Sequence, residues 1–299
     1  MDSDSFNSTR EVEAKTLISP QLIHIVLMSF LQDSEFMNKN IVYRFPESQK
    51  TAVIIDPRYD DLMKAVIHNF MYFMNPKGWN LLIVSYSGYE TQIKRDFPTC
   101  VFEAIDDSII TIDEDNIPNI TISHYNAILK SKSFWEKMPE HVAIFQKDCV
   151  MLHMFPDYFI HYDFAGAGFY GAISPLIGGI NGGFSLRKRD AMLECLREVS
   201  FDRMCKYNPP IMDNRDKENE DVFFTHACEI LNKLVPDKIH RSFLAIEDDY
   251  NPETAVIHGW NKYAKPIENI ISILVNSPLF SRYMKPKKNN SVVSMKSYS

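Results

Sequence analysis

The chain has 299 residues, 45% of them hydrophobic and 24% charged, with a formal net charge of −7 and a sequence pI of about 5.7. This is the balance of a globular chain with material for one large core, and its acidity argues against a nucleic-acid partner gripped through its phosphates. Five cysteines, Cys100, Cys149, Cys195, Cys205 and Cys228, are odd in number and form no CxxC pair, so neither a disulfide framework nor a zinc cluster is indicated, and a reducing, cytoplasmic setting is expected.

Residues 1–15 are polar and acidic where a secretory signal would be basic and then apolar, and are expected to be disordered. Leu17 to Leu31 is apolar but carries Pro20, Gln21 and His24 and is too short for a bilayer, so a packed helix over 17–35 is expected, with no membrane span. A polar connector, 36–50, leads to the short β-branched run Thr51–Asp56. Asp60 or Asp61 can cap the helix that follows, which Asn75-Pro76-Lys77-Gly78 stops. The apolar run NLLIVSYS comes next. Strand, helix and strand on short turns make a βαβ unit, and unbroken apolar strands are those of a parallel sheet buried on both faces.

In the middle, CVFEAI and SIITI read as short strands among acidic loops (Asp106-Asp107, Asp113-Glu114-Asp115) whose carboxylates suit solvent better than a metal. SHYNAILKSKSFWEKM reads as one helix with Ser123 as a candidate cap, and His141 to Leu152 as a buried strand interrupted by Gln146 and Asp148. From Gly166 to Gly183 come seven of the ten glycines, a density that suggests a shaped loop approached closely by another group. Within it GAGFYG spells GxGxxG, but no clean strand precedes it and Pro175 spoils the helix a dinucleotide fold needs. Asn219 to Leu231 is a helix opening on Glu220 and Asp221. The tail 284–299 is basic, Ser/Asn-rich and without apolar periodicity, as a frayed terminus would be.

Three positions suggest chemistry. Asp148 lies just past a buried strand, where open α/β sheets bind ligands; it can hold a hard cation or simply cap a turn. Glu220 and Asp221 suit a helix N-terminus electrostatically, and either is also a candidate base. His258, between an apolar run and Gly259-Trp260, is a metal ligand or a structural histidine.

Taken in order, IDPR (55–58), GWNLLIV (78–84), YNAILKSKSFW (125–135), IFQKD (144–148), HYDFAGAG (161–168), NGGFSLRKR (181–189), NEDVFF (219–224) and HGW (258–260) resemble a GT-A-like glycosyltransferase family, long known only as a domain of unknown function and common in large DNA viruses. The resemblance spans roughly residues 50 to 262. It implies an α/β fold, GT-A-like and Rossmann-like, with a mixed, mostly parallel sheet flanked by helices: an N-terminal extension (1–50), one glycosyltransferase domain (51–283) and a tail (284–299). The implied reaction is inverting transfer from a nucleoside-diphosphate sugar, UDP-sugar favoured, to a glycan, protein or small-molecule hydroxyl, in host cytoplasm or virion.

Carried over residue by residue, the resemblance gives Asp148 the place of the last Asp of a DxD motif, binding Mn²⁺ or Mg²⁺ together with His258. Asp221, or failing it Glu220, becomes the base. Ile55, Pro57 and Arg58 border the nucleotide with Gln146, while Asn181, Gly182 and Gly183 border the sugars and Phe184 and Trp260 lie on the acceptor side. The chain departs from the DxD pattern in Gln146, which stands where the first Asp is usual and brings no charge to a metal. A non-catalytic nucleotide- or glycan-binding relative, and a metal-dependent phosphoester enzyme, are the rival readings.

Overall fold

A computed structural model describes residues 20–32, 43–169, 178–200, 202–204, 219–247, 250–259 and 267–283. The expected disordered start, most of the connector, the tail, and Trp260 lie outside them. Eleven strands are described: β1 Lys50–Ile55, β2 Asn80–Ser85, β3 Val101–Ala104, β4 Thr111–Ile112, β5 Pro118–Asn119, β6 His141–Phe145, β7 Cys149–Met151, β8 Phe164–Phe169, β9 Gly179–Lys188, β10 Ala245–Ile246 and β11 Val256–His258. Nine form a sheet in the order β3-β2-β1-β6-β9-β8-β10-β11-β7, and β4 and β5 pair separately. Neighbours are parallel except at β6–β9, β9–β8 and β11–β7.

Alternation along the central strands explains the layers. On β1, Ala52 and Ile54 enter one core and Val53 and Ile55 the other; β2 splits Leu81 and Ile83 from Leu82 and Val84, and β6 splits Ala143 and Phe145 from Val142 and Ile144. Successive side chains of a strand point to opposite faces, so runs that are apolar throughout need helices on both sides. The first core is covered by the helix Asp61–Met74, the second by the helices Ile122–Leu129, Arg189–Glu198 and Glu220–Ile230. The chain is thus a mixed, mostly parallel α/β sheet flanked by helices.

The expected βαβ unit is present, with Asp60 accepting from the Met63 N–H and Gly78 closing the stop at φ 83°. The first described helix, Pro20–Leu31, packs on the domain. Its Leu27, Phe30 and Leu31 are buried in the first core, and Phe30 meets Phe280 with ring centroids 5.2 Å apart. Asparagine amides stand in for strand partners elsewhere. Asn69 pairs with both backbone groups of Met151, closing the outer edge of β7, and Asn75 and Asn80 do the same for Tyr43 and Phe45.

Four local expectations need correction. The single helix over 123–138 is two, Ile122–Leu129 and Lys132–Glu136, capped by Thr121 rather than Ser123; the Trp135 indole donates to the Leu129 carbonyl at 2.6 Å, turning the chain there. Ser108–Ile112 is a 3₁₀ turn running into the two-residue β4, its flanking Asp106 and Asp113 accepting nearby backbone N–H groups. His141 to Leu152 is two strands, β6 and β7, diverging at Gln146–Asp148. Finally, the glycine-rich stretch is mostly strand where it is described: Gly166 and Gly168 lie in β8 and Gly179, Gly182 and Gly183 in β9, Gly178 lies just outside β9 with φ 66°, and 170–177 lie outside the described residues.

Candidate active site

The order of the sheet turns about β1 and β6. From β1 the chain runs outward to β2 and β3, while β6 lies on the other side, so the loops after β1 and β6 open a crevice at their carboxyl ends. A cavity of about 500 Å³ occupies it. Ile55 to Arg58 and Gln146 to Asp148 form two walls, and Asn119 to Ile122 with Tyr125 form a third. The structure therefore brings Ile55, Pro57, Arg58, Gln146 and Asp148 to one pocket. Four charges not singled out from the sequence as a set join there. Asp56 takes two hydrogen bonds from the Arg58 guanidinium, at 3.0 and 2.9 Å, and Lys147 bridges Asp60 at 2.6 Å and Asp56 at 3.7 Å. Gln146 donates from its side chain to the Tyr125 hydroxyl (3.0 Å) and from its backbone to the Gly183 carbonyl (2.9 Å).

Asp148 and His258 meet because of strand register. β7 and β11 run antiparallel with His258 opposite Cys149, which brings His258 Nε2 to 3.5 Å from Asp148 Oδ1. Both side chains are buried. Behind the imidazole, Glu247 Oε1 lies 3.6 Å from Nδ1. Burial works against a charged His258, but Asp148 and Glu247 outweigh it and raise its pKa. Asp148, Cys149 and His258 each offer one ligand atom within 4.8 Å of the others, and the Cys149 thiol donates to the Gly183 carbonyl at 3.2 Å.

β9 joins this pair to the carboxylates of the helix Glu220–Ile230. Ile180 bonds Thr225 of that helix, and Gly182, Ser185 and Arg187 face it as well. The facing positions change from even to odd between 182 and 185, where the pairing with β8 shifts register. A bulge of this kind re-aims side chains. Gly182 turns to the helix and Gly183 to the imidazole, and neither has room for a side chain. A Cβ on Gly182 would stand 2.2 Å from Glu220 Oε1, and one on Gly183 would stand 2.1 Å from His258 Nε2. Neither glycine has positive φ, so close approach, not backbone conformation, demands them. Asn181 steadies the turn by accepting the Gly183 N–H at 2.6 Å.

The two adjacent carboxylates differ. Glu220 is buried, and its oxygens accept from Arg187 at 2.5 and 2.9 Å. Both oxygens of Glu220, the expected alternative base, are thus engaged by the guanidinium. Asp221 is only half-buried; its oxygens accept from the backbone of Gly182 at 3.2 Å and Val222 at 2.8 Å. Burial and then the charge of Glu220 push its pKa up to about 6, against the pull of those two N–H groups and Arg187. Phe184, expected on the acceptor side, is fully buried between Phe70 and Phe155, because the bulge returns it to the first core.

Sequence reasoning assigned no part in the site to Tyr125, Lys147, Arg187 or Glu247, took Asp60 only as a helix cap, and included Asp56 only as a member of the 55–58 stretch. Arg187 carried a signal, a cation ending the otherwise apolar run of a buried strand. Glu247 carried none.

A family model described as "Protein of unknown function (DUF5672)" matches residues 108–260, just over half of the chain. No curated protein matches it in sequence. Among solved structures it is similar, at 10% identity, to the galactosyltransferase LgtC in complex with donor and acceptor sugar analogues (TM-score 0.44, covering 80% of this chain and 98% of that one). An active-site mutant of LgtC aligns at 10% identity (TM-score 0.43, 70% and 86%), as does the apo form of the glycosyltransferase GlyE of Streptococcus pneumoniae TIGR4 (TM-score 0.38, 79% and 63%). Among the described residues no helix is long and apolar enough to cross a membrane.

Proposed function

This chain belongs to the DUF5672 family, and from that premise we propose that it is a glycosyltransferase, moving a sugar with inversion from a nucleoside-diphosphate sugar, UDP-sugar favoured, to an acceptor hydroxyl. One observation carries the proposal. Asp148 and His258, 110 positions apart in the chain, stand 3.5 Å from each other beside Gly183, while the next residue along, Gly182, donates to Asp221. Two candidate cation ligands and a carboxylate of raised pKa are thus tied to neighbouring residues of one strand, and Asp148 among them lines a crevice of about 500 Å³. That volume is ordinary for a small-molecule or cofactor pocket.

The side chains fit a divalent cation. A carboxylate and an imidazole are an oxygen and nitrogen set suited to Mn²⁺ or Mg²⁺. The lack of a side chain on Gly183 lets the ring pack directly against β9, and Glu247 stands behind Nδ1 as outer carboxylates do behind ligating histidines. Asp148 and His258 Nε2 would hold the ion, which when bound would neutralise the diphosphate of the donor.

The protein's own groups supply the rest. Asp221 accepts the proton of the acceptor hydroxyl as that oxygen attacks the anomeric carbon. The bond from that carbon to the diphosphate oxygen breaks on the opposite face, which inverts the centre. A pKa of about 6 leaves Asp221 ionised at neutral pH yet more basic than an ordinary carboxylate, the condition for a general base. Tyr125 and Gln146, joined by their hydrogen bond, close the crevice on the side of the helix Ile122–Leu129.

Calorimetric titration with UDP, GDP and ATP, with and without Mn²⁺, followed by assay of UDP-sugar hydrolysis, tests the reading. Mn²⁺-dependent UDP binding with turnover supports it; binding without turnover points to a non-catalytic relative. Turnover by Asp148→Ala and Asp221→Ala within a few-fold of the unmodified chain would overturn the assigned roles.

A further inference from the structure

The buried Arg187–Glu220 pair lies outside the roles assigned above. Arg187 is fully buried, with its Nε donating to Ser185 Oγ at 2.9 Å. Its guanidinium lies 4.9 Å from the Phe164 ring centroid, 5.5 Å from that of Phe224 and 6.0 Å from that of Trp135. The aromatic box leaves the cation one direction in which to spend its remaining donors, towards Glu220. Glu220 opens the helix that carries Asp221, and its own N–H donates to Asn126 Oδ1 at 3.2 Å. An ion pair enclosed this way fixes one geometry, because breaking it strands a charge in an apolar site.

We propose that Arg187 is a positioning residue for Asp221: its grip on both Glu220 oxygens pins the first turn of the helix against Gly182 and holds the negative charge nearest Asp221 at a set distance. The inference rests on Asp221 being the base of the proposed transfer. The pair acts on Asp221 in two opposed ways, since Glu220 disfavours its ionised form and Arg187 favours it. Among the described residues Tyr125, on the helix Ile122–Leu129, also faces this cluster, and burial keeps its hydroxyl protonated. The helix Arg189–Glu198, packed on the same helix, brings Cys195 to Cys228 instead, 4.0 Å away. Asp163, just before β8, pairs with Lys188.

Opposed effects give a signature that mere loss of structure would not. The Asp221 carboxyl is followed by ¹³C side-chain NMR against pH, its signal identified by its loss in Asp221→Asn. Glu220→Gln should move the midpoint down and Arg187→Met should move it up, each by about one pH unit. Where Arg187→Met does not fold, the apolar replacement Arg187→Met with Glu220→Met keeps the volume and removes both charges; its midpoint should also fall below the unmodified value, because Glu220 outweighs Arg187. A midpoint unchanged in folded Glu220→Gln and in the double variant overturns the inference. The titration needs no turnover, so the two ideas fail separately. Shifted midpoints with an active Asp221→Asn would remove the base assignment and leave the pair's grip on Asp221 standing; unshifted midpoints with an inactive Asp221→Asn would do the reverse.

Discussion

Replacing Gly183 by alanine tests the geometry at its tightest point. The added methyl group would stand 2.1 Å from His258 Nε2, 2.3 Å from Cδ2 and 2.4 Å from Cε1, roughly 1.3 Å inside ordinary contact for the closest pair. Neither partner yields easily. The Gly183 carbonyl accepts from the Gln146 N–H and the Cys149 thiol, and His258 is a buried residue of β11 backed by Glu247. Overpacking a close-fitted core costs about 1–3 kcal/mol, and at this chain length each kcal/mol lowers Tm by about 2–4 °C. A ring forced away from Asp148 should also weaken Mn²⁺ binding about 10–100-fold, as disturbance of a ligand's support does elsewhere. Thermal unfolding by circular dichroism and calorimetric Mn²⁺ titration measure the two effects. Adding His258→Ala to Gly183→Ala separates the clash from generic strain: removing the ring should restore part of the lost Tm while leaving Mn²⁺ binding weak. Unaltered Tm and Mn²⁺ affinity in Gly183→Ala would refute the reasoning.

Asp221→Asn should lower turnover about 10²–10⁴-fold, while kcat/KM of the unmodified chain rises with pH through about 6 and then levels. Because the folded-state pKa lies above the ordinary 3.8, the native chain holds a proton across that interval which the unfolded chain has released, so stability falls as pH rises from about 4 to 6. The Asn variant escapes that fall and should be the more stable at pH 7, with the gap closing by pH 4 in urea unfolding; an Asn variant less stable at pH 7 would contradict this. Glu247→Ala should raise the Mn²⁺ Kd about 10–100-fold with UDP affinity in the absence of metal unchanged, and equal Mn²⁺ affinity would remove Glu247 from the site. Arg58→Ala should weaken UDP binding several-fold yet change stability by no more than about 1 kcal/mol, as for other exposed pairs, since its side chain is 45% exposed; a large loss of stability would mean that Arg58 supports the fold instead.

How much of this was legible in the sequence depended on the range of the interaction that decides each feature. The βαβ unit could be read because its signals are local: a β-branched run, a capping Asp60, a Gly78 stop, then a second apolar run. The opening of the helix at Glu220 was local too. The single helix over 123–138 failed on a contact seven positions wide, the Trp135 indole reaching the Leu129 carbonyl, which composition does not signal. The glycine-rich stretch failed for a different reason. Glycine is depleted from strands because it leaves them nothing to pack, yet here neighbouring side chains occupy the space: the Glu220 carboxylate over Gly182 and the His258 ring over Gly183.

The site itself was legible only as a set of residue types in order. Its geometry depends on two features of the sheet that lie far apart in the sequence: a three-residue β7 pairing with a three-residue β11, which sets His258 opposite Cys149, and a bulge in β9, which changes the side from which its residues face the helix. The same bulge sets the surroundings of three expected positions. It turns Gly182 towards Glu220 and Gly183 towards His258, and by the change of parity it sends Phe184, the next residue, into the core. A strand without the bulge would have shown Phe184 and Gly182 on one face, beside Asp221. The burial of Phe184 and the approach of Gly182 to Glu220 and of Gly183 to His258 therefore have one cause, and straightening β9 would cost both of those close approaches.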